Sequence, residues 1–236
     1  MELSHSHRFI FIHVYRCGGE SVRAAVAPYV YRPGGRLGRL RWLGRLGDHE
    51  FRRLRGQRHG HIKAKELRAA LGAEDFDRFF RFAFVRNPWA WHVSIYHYVR
   101  QRRAHPQHEL FGAFEGFDDY LEWRVHTVGP ELQSEFILSD SGELLMDFVG
   151  HVETLEADFA EVARWVGIEA SLPRTNTSQH GDFRQYYTPR TRALVADAYR
   201  DDIELFGYEF DRPQKLAPIL ASEAAALTPP LRGATA

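Results

Sequence analysis

The chain has 236 residues, 44% of them hydrophobic and 26% charged, with 31 Lys and Arg against 31 Asp and Glu. That length buries a sizeable core without staples, and a single Cys excludes an intrachain disulfide framework and suits a reducing compartment. No apolar run reaches about 18 residues, so no membrane span is expected.

The first element is the most informative. Phe9 to Val14 mix β-branched and aromatic residues, and the pattern predicts a buried strand over 8–14. This six-residue run carries no cleavage-site pattern, so it reads as a strand and not as a signal peptide, and a cytoplasmic protein is expected. Arg16, Cys17, Gly18, Gly19 and Glu20 follow, and a helix is expected over 21–29. A strand feeding a glycine loop and a helix N-terminus suits an anion. Glycine lets the backbone approach it, and the first helical N–H groups and the helix dipole point at it. Arg16 adds a permanent charge. The plainer reading is a strand-turn-helix with an incidental Arg.

Residues 31–58 hold nine Arg against Asp48 and Glu50, whereas residues 109–169 hold fifteen acidic residues against Arg124 and Arg164. The basic stretch is glycine-rich and reads either as a funnel for an anionic ligand or as a solvated insertion. The acidic middle of the chain opposes nucleic-acid binding, and no recognition motif is present. A short strand is expected at 58–62 and a helix at 64–71. A second buried strand is expected at 81–86, followed by Asn87-Pro88 and a helix over 88–103. Arg86 stands at the C-terminal end of that strand, where open α/β sheets bind ligands, and Ser94 lies about two turns into the helix. A guanidinium and a hydroxyl so placed can grip one phosphate from two sides. With residues 9–21 they suggest a ligand bearing two separated phosphates.

Short helices are expected around 116–124 and 130–138, a strand at 145–150, and a helix at 154–166. A final helix is N-capped by Thr188, has Pro189 as its first residue, and runs to about Phe206. Glu153 and Asp158 read as helix-start carboxylates favoured by the dipole. Strands alternating with helices predict one α/β domain over 1–212 with a central parallel sheet, and an Ala- and Pro-rich tail over 213–236.

These segments carry a family resemblance. YRCGGES is similar to the 5′-phosphosulfate loop of carbohydrate-type sulfotransferases (sulfotransferase family 2-like), written P-K-T-G-G-T-S. FVRNPWAWHVSIY resembles their 3′-phosphate segment, F-V-R-N-P-x-x-R-x-x-S-x-Y. HGHIKAKEL, DFVGHVETLEADF, LPRTNTS and DIELFGYEF follow in the family's order, so the resemblance spans residues 8–210. It implies a three-layer, P-loop-like α/β fold. It also implies transfer of a sulfuryl group from 3′-phosphoadenosine 5′-phosphosulfate (PAPS) to a hydroxyl or amine of a carbohydrate-like acceptor.

Under it, Arg16, Cys17, Gly18, Gly19, Glu20 and Ser21 bind the 5′ end of the donor, and Arg86 and Ser94 hold its 3′-phosphate. Asn176 and Ser178 add weaker contacts near the nucleotide. The loop departs from the pattern at Tyr15, Arg16, Cys17 and Glu20. Arg for Lys exchanges a compact ammonium for a planar fork. Cys17 reads as a small filler or as a reactive thiol, and Glu20 as a side chain turned away or as a cap.

The expected base comes from His59-Gly60-His61, because His titrates near neutral pH. The segment resembles the H-G-H element of uronyl 2-O-sulfotransferases, which implies His61 as base, with His59 as runner-up. A backbone-bonding structural His is the plainer reading. Trp89, Trp91, Tyr96 and Tyr98 read either as a sugar-stacking stripe or as core. Thirteen His raise the question of a metal, but no HExxH or paired-Cys spacing exists, so none is expected. Two rivals stay open: a P-loop-type kinase, although the Lys and spacing of that motif are missing, and a nucleotide-binding module of the same fold with impaired catalysis.

Overall fold

A computed structural model of the chain describes residues 1–30, 61–173, 181–211 and 216–221. Its sheet is built from strands whose side chains alternate between two apolar faces. β2 (Phe9–Ile12) pairs in parallel with β3 (Phe80–Val85), and β3 pairs in parallel with β4 (Phe148–His151). Ile10, Ile12, Ala83, Val85 and Val149 point to one face, and Phe9, Phe11, Phe82, Phe84 and Phe148 to the other. The period-2 pleat thus turns near-continuous apolar runs into two cores.

Helices cover both faces, which gives three layers. α1 (Gly19–Val26) and α7 (Leu155–Val166) close the phenylalanine face, through Val22 and Val26 and through Phe159, Val162 and Val166. The opposite face is covered by α2 (Ala64–Leu71) and α4 (Pro88–Gln101), with Leu67, Trp91 and Val93 inside. α3 (Ala73–Asp77) leads into β3, and α5 (His108–Ala113) and α6 (Phe117–Glu122) extend this layer. The expected α/β architecture with parallel central strands is therefore present.

Several expectations change in detail. An unforeseen edge strand, β1 (Glu2–Ser4), pairs antiparallel with β2, so the sheet is mixed at its margins. Residues 61–63 carry no strand, and 58–60 lie outside the described residues, as does the whole Arg-rich segment 31–58. The long C-terminal helix is two helices, α8 (Pro189–Ala198) and α9 (Arg200–Phe206). At Tyr199 the chain turns, and its ring enters the core against His92. Thr188 caps α8 and Pro189 is its first residue, as the sequence predicts. Within the stretch read as a tail, β5 (Ile219–Leu220) pairs antiparallel with β4.

The turn between β4 and α7 is fixed by Asp158. Its carboxylate accepts the His151 backbone N–H at 2.8 Å and the Thr154 hydroxyl at 2.8 Å. Gly150 passes so close to β3 that an added Cβ would lie 2.6 Å from the Phe84 ring and 3.0 Å from the Asp158 Cβ. Gly150→Ala should therefore destabilise the fold by about 1–3 kcal/mol, the usual cost of overpacking. Urea unfolding measures it, and an unchanged midpoint would contradict this packing.

Candidate active site

β2 and β3 run in parallel with Ile12 opposite Ala83, so the segments after them emerge side by side. From β2 the chain passes through Val14 and Tyr15 into the loop of residues 16–18. Arg16 and Gly18 both take left-handed backbone conformations, with φ of 60° and 72°. Glycine does this freely, but an Arg there stores roughly 1–3 kcal/mol of strain, which surrounding contacts must hold. Those contacts are visible. Trp91 Nε1 donates to the Tyr15 carbonyl at 2.8 Å, and the Tyr15 hydroxyl donates to Glu131 at 3.0 Å. Trp91 stands where the family pattern carries Arg.

Gly18 caps α1 through its backbone, accepting from the N–H groups of Ser21 (3.1 Å) and Val22 (3.2 Å). The Ser21 N–H is thus used within the helix start and is withdrawn from the expected anion donors. Gly18, Gly19 and Glu20 remain as the first-turn N–H groups that the helix itself does not use. The Glu20 carboxylate turns away to Arg23 (3.1 Å) and caps nothing, so the first of its two readings holds. Arg23 is in turn tied to Glu2 at 2.9 Å.

Asn87 and Pro88 open α4 as the sequence predicts: the Asn87 side chain accepts from the N–H groups of Trp89 (3.1 Å) and Ala90 (3.3 Å). This places Arg86 at the strand end and Ser94 on the helix above it. Ser94 is fully buried, and its Oγ accepts from Arg16 Nε (3.1 Å) and Nη2 (2.9 Å). Arg16 also lies over the Tyr98 ring at 4.2 Å, and Arg102 covers the same ring at 4.4 Å. The two expected anion sites are therefore contiguous, and Arg16 spans them. Burial, and then the nearby Arg86, pulls the Arg16 pKa down to about 10, so it stays charged at neutral pH. Burial also lowers the pKa of Arg86, and Glu153 offsets part of that effect.

Glu153 departs from its expected role at a helix start. It reaches across to accept the Asn87 backbone N–H at 3.0 Å and the Tyr208 hydroxyl at 3.2 Å, bracing the β3–α4 turn. Cys17 is a buried neutral thiol, pushed up in pKa by burial. Its S–H donates to Gln133 Oε1 at 3.1 Å, so the small-residue reading holds and the reactive-thiol reading does not. Trp89, Trp91 and Tyr96 are buried core residues, which removes them as a sugar platform.

His61 lies close to this loop. Its Nδ1 is 2.9 Å from the His13 carbonyl, which can only accept, so Nδ1 carries the proton and Nε2 keeps a free lone pair. Burial lowers its pKa below 6.5, and the ring is neutral at pH 7. That tautomer and charge are what a general base needs. His59, Asn176 and Ser178 lie outside the described residues.

Two residues for which the sequence carried no site expectation also shape the site: Gln133 and His13. The His13 ring is buried 4.4 Å from the His61 ring and stacks on Phe11. It fills the space beside Gly19 so completely that a Cβ there would fall 1.8 Å from His13 Nε2. Gly19 is therefore imposed by a side chain, a signal that residue spacing does not carry. Gly19→Ala should cost about 1–3 kcal/mol of stability. In the His13→Ala background most of that penalty should vanish, giving a coupling well above about 0.5 kcal/mol in a double-mutant cycle. Strictly additive melting data would show that the two groups do not meet.

An uncharacterized protein of Archaeoglobus fulgidus is 29% identical over 122 residues, covering 50% of this chain and 94% of the relative. No solved structure matches the chain. The sequence model of the sulfotransferase family matches residues 3–209, which include β2 to α9 and every described site residue, and the chain belongs to that family.

Proposed function

We propose that the protein transfers the sulfuryl group of PAPS to a hydroxyl, or an amine, of a carbohydrate-like acceptor. The observation that carries this reading is the contiguity of the two anion-suited loops, with Arg16 hydrogen-bonded to Ser94 at 2.9 Å and a neutral His61 beside them. Membership of the sulfotransferase family supports the reaction class and sets the kinase reading aside. The single Cys suits the reducing cytoplasm.

In this reading the 5′-phosphosulfate sits at the N-terminus of α1, against the N–H groups of Gly18, Gly19 and Glu20. Arg86 and Ser94 take the 3′-phosphate, with Asn176 and Ser178 supplying further hydrogen bonds to the nucleotide. His61 Nε2 removes the acceptor proton as the acceptor oxygen (or nitrogen) bonds to sulfur. The bond between sulfur and the 5′-phosphate oxygen breaks, and the electron pair leaves with 3′-phosphoadenosine 5′-phosphate. Arg16 and the loop N–H groups stabilise the charge that grows on that oxygen, the kind of electrostatic term that dominates group transfer through a loose transition state. The loss of one donor, the Ser21 N–H, leaves this work to fewer groups.

The chain should bind 3′-phosphoadenosine 5′-phosphate more tightly than AMP by about 2–3 kcal/mol, the value of charge-assisted hydrogen bonds to the second phosphate. Calorimetry reads this directly, and equal affinities would remove the donor assignment. Arg86→Ala should abolish most of that preference. His61→Ala should keep nucleotide affinity while turnover falls by about 100-fold or more. Retained turnover in His61→Ala with loss in His59→Ala would move the base two residues, and indifference to both would remove histidine from the chemistry.

The pH dependence follows from the lowered pKa of His61. The base is active when deprotonated, so kcat/KM should rise from acid pH with the midpoint of that limb below 6.5, where an unperturbed His would titrate. An acid limb centred above 6.5 would contradict a buried, neutral base.

A further inference from the structure

Gln133 belongs to none of the family segments above, yet its side chain meets both loops. Its Oε1 accepts the Arg86 backbone N–H at 2.8 Å and the Cys17 thiol at 3.1 Å, and its Nε2 donates to the Arg86 carbonyl at 2.7 Å. The amide is 1% exposed. Its orientation is dictated by these partners, since the reversed amide would set donor against donor and acceptor against acceptor. Arg86 lies one residue past the last ladder pair, Val85 with His151. Its backbone would leave the sheet with donor and acceptor unpaired, a costly state for buried groups. The Gln133 amide takes the place of the missing strand.

The residue is itself held from behind. The Gln133 and Ser134 backbone N–H groups bond to the two carboxylate oxygens of Asp202 at 2.6 and 3.0 Å, and Asp202 is fully buried at the start of α9. A rigid line thus runs from α9 through Asp202 and Gln133 to the strand end at Arg86 and the loop at Cys17. We infer that Gln133 is a positioning residue that sets the distance between the two phosphate-binding loops, and that Asp202 locks it in place.

This inference rests on the two-phosphate reading above, and it makes a differential demand. A ligand held at both loops depends on their separation, whereas a ligand with one phosphate does not. Affinities for 3′-phosphoadenosine 5′-phosphate and for AMP should therefore be compared in wild type, Gln133→Leu, Gln133→Glu and Asp202→Asn, with folding checked by circular dichroism. Gln133→Leu should weaken the two-phosphate nucleotide by about tenfold or more, as expected when buried hydrogen-bonding groups lose their partners. AMP affinity should change by less than about threefold, within the scatter of an indirect effect. Asp202→Asn should shift the ratio in the same direction by a smaller factor. Gln133→Glu keeps size and the Oε1 contacts but faces the Arg86 carbonyl with a carboxylate oxygen, so it reports the same ratio if the Leu variant does not fold. Equal weakening of both nucleotides, or an unchanged ratio in the folded variants, would overturn the inference while leaving the donor assignment intact. Wild-type protein without any preference for the two-phosphate nucleotide would overturn both.

Discussion

The parallel register of β2 against β3 is the constraint on which the site depends. With Ile12 opposite Ala83, Arg16 and Arg86 are delivered to the same end of the sheet, and their two guanidinium groups are partly withdrawn from water beside one another. Like charges so placed repel, and burial lowers the pKa of both. Arg16 is met by the Ser94 hydroxyl and the Tyr98 ring, and Arg86 by the Arg16 carbonyl, 3.5 Å from its Nη1, and by the nearby Glu153 carboxylate. In the proposed function, a two-phosphate anion supplies counter-charge to both guanidinium groups.

A second consequence of the register is that the strain at the loop is held from outside the loop. Arg16 in a left-handed conformation persists because Trp91, Glu131 and Gln133 each tie down a neighbour of it. Behind them stands Asp202, whose pKa burial raises to about 6 while donors from residues 133 and 134 limit the rise, so it is ionised at neutral pH. The buried polar groups near the loop thus form a support for one strained turn, and each bond in it is short and partnered.

What could be read from the residues was what depends on local order along the chain. The apolar runs at 9–14 and 81–85, the glycine pair, the Asn-Pro helix start and the Thr-Pro start of α8 are adjacent in sequence, and each appears where it was expected. What could not be read was set by contacts between distant segments. Gln133 meets Arg86 across 47 positions and Tyr15 meets Glu131 across 116. Gly19 looks like a flexible loop residue, but the His13 ring imposes it. Glu153 looked like a helix-start carboxylate because it precedes α7, whereas its carboxylate accepts the Asn87 N–H from 66 positions away. The edge strands β1 and β5 escaped notice for a related reason: three- and two-residue strands carry too little alternation to be seen.

In the proposed function one nucleotide bridges the two loops, with His61 open to the acceptor side. A crystal structure of the complex with 3′-phosphoadenosine 5′-phosphate tests it most directly. The expected complex has the 5′-phosphate against the backbone N–H groups of Gly18, Gly19 and Glu20, the 3′-phosphate against Arg86 and Ser94, and His61 Nε2 facing the vacated sulfuryl position. A nucleotide bound elsewhere, or one whose 3′-phosphate points into solvent away from Arg86, would contradict it.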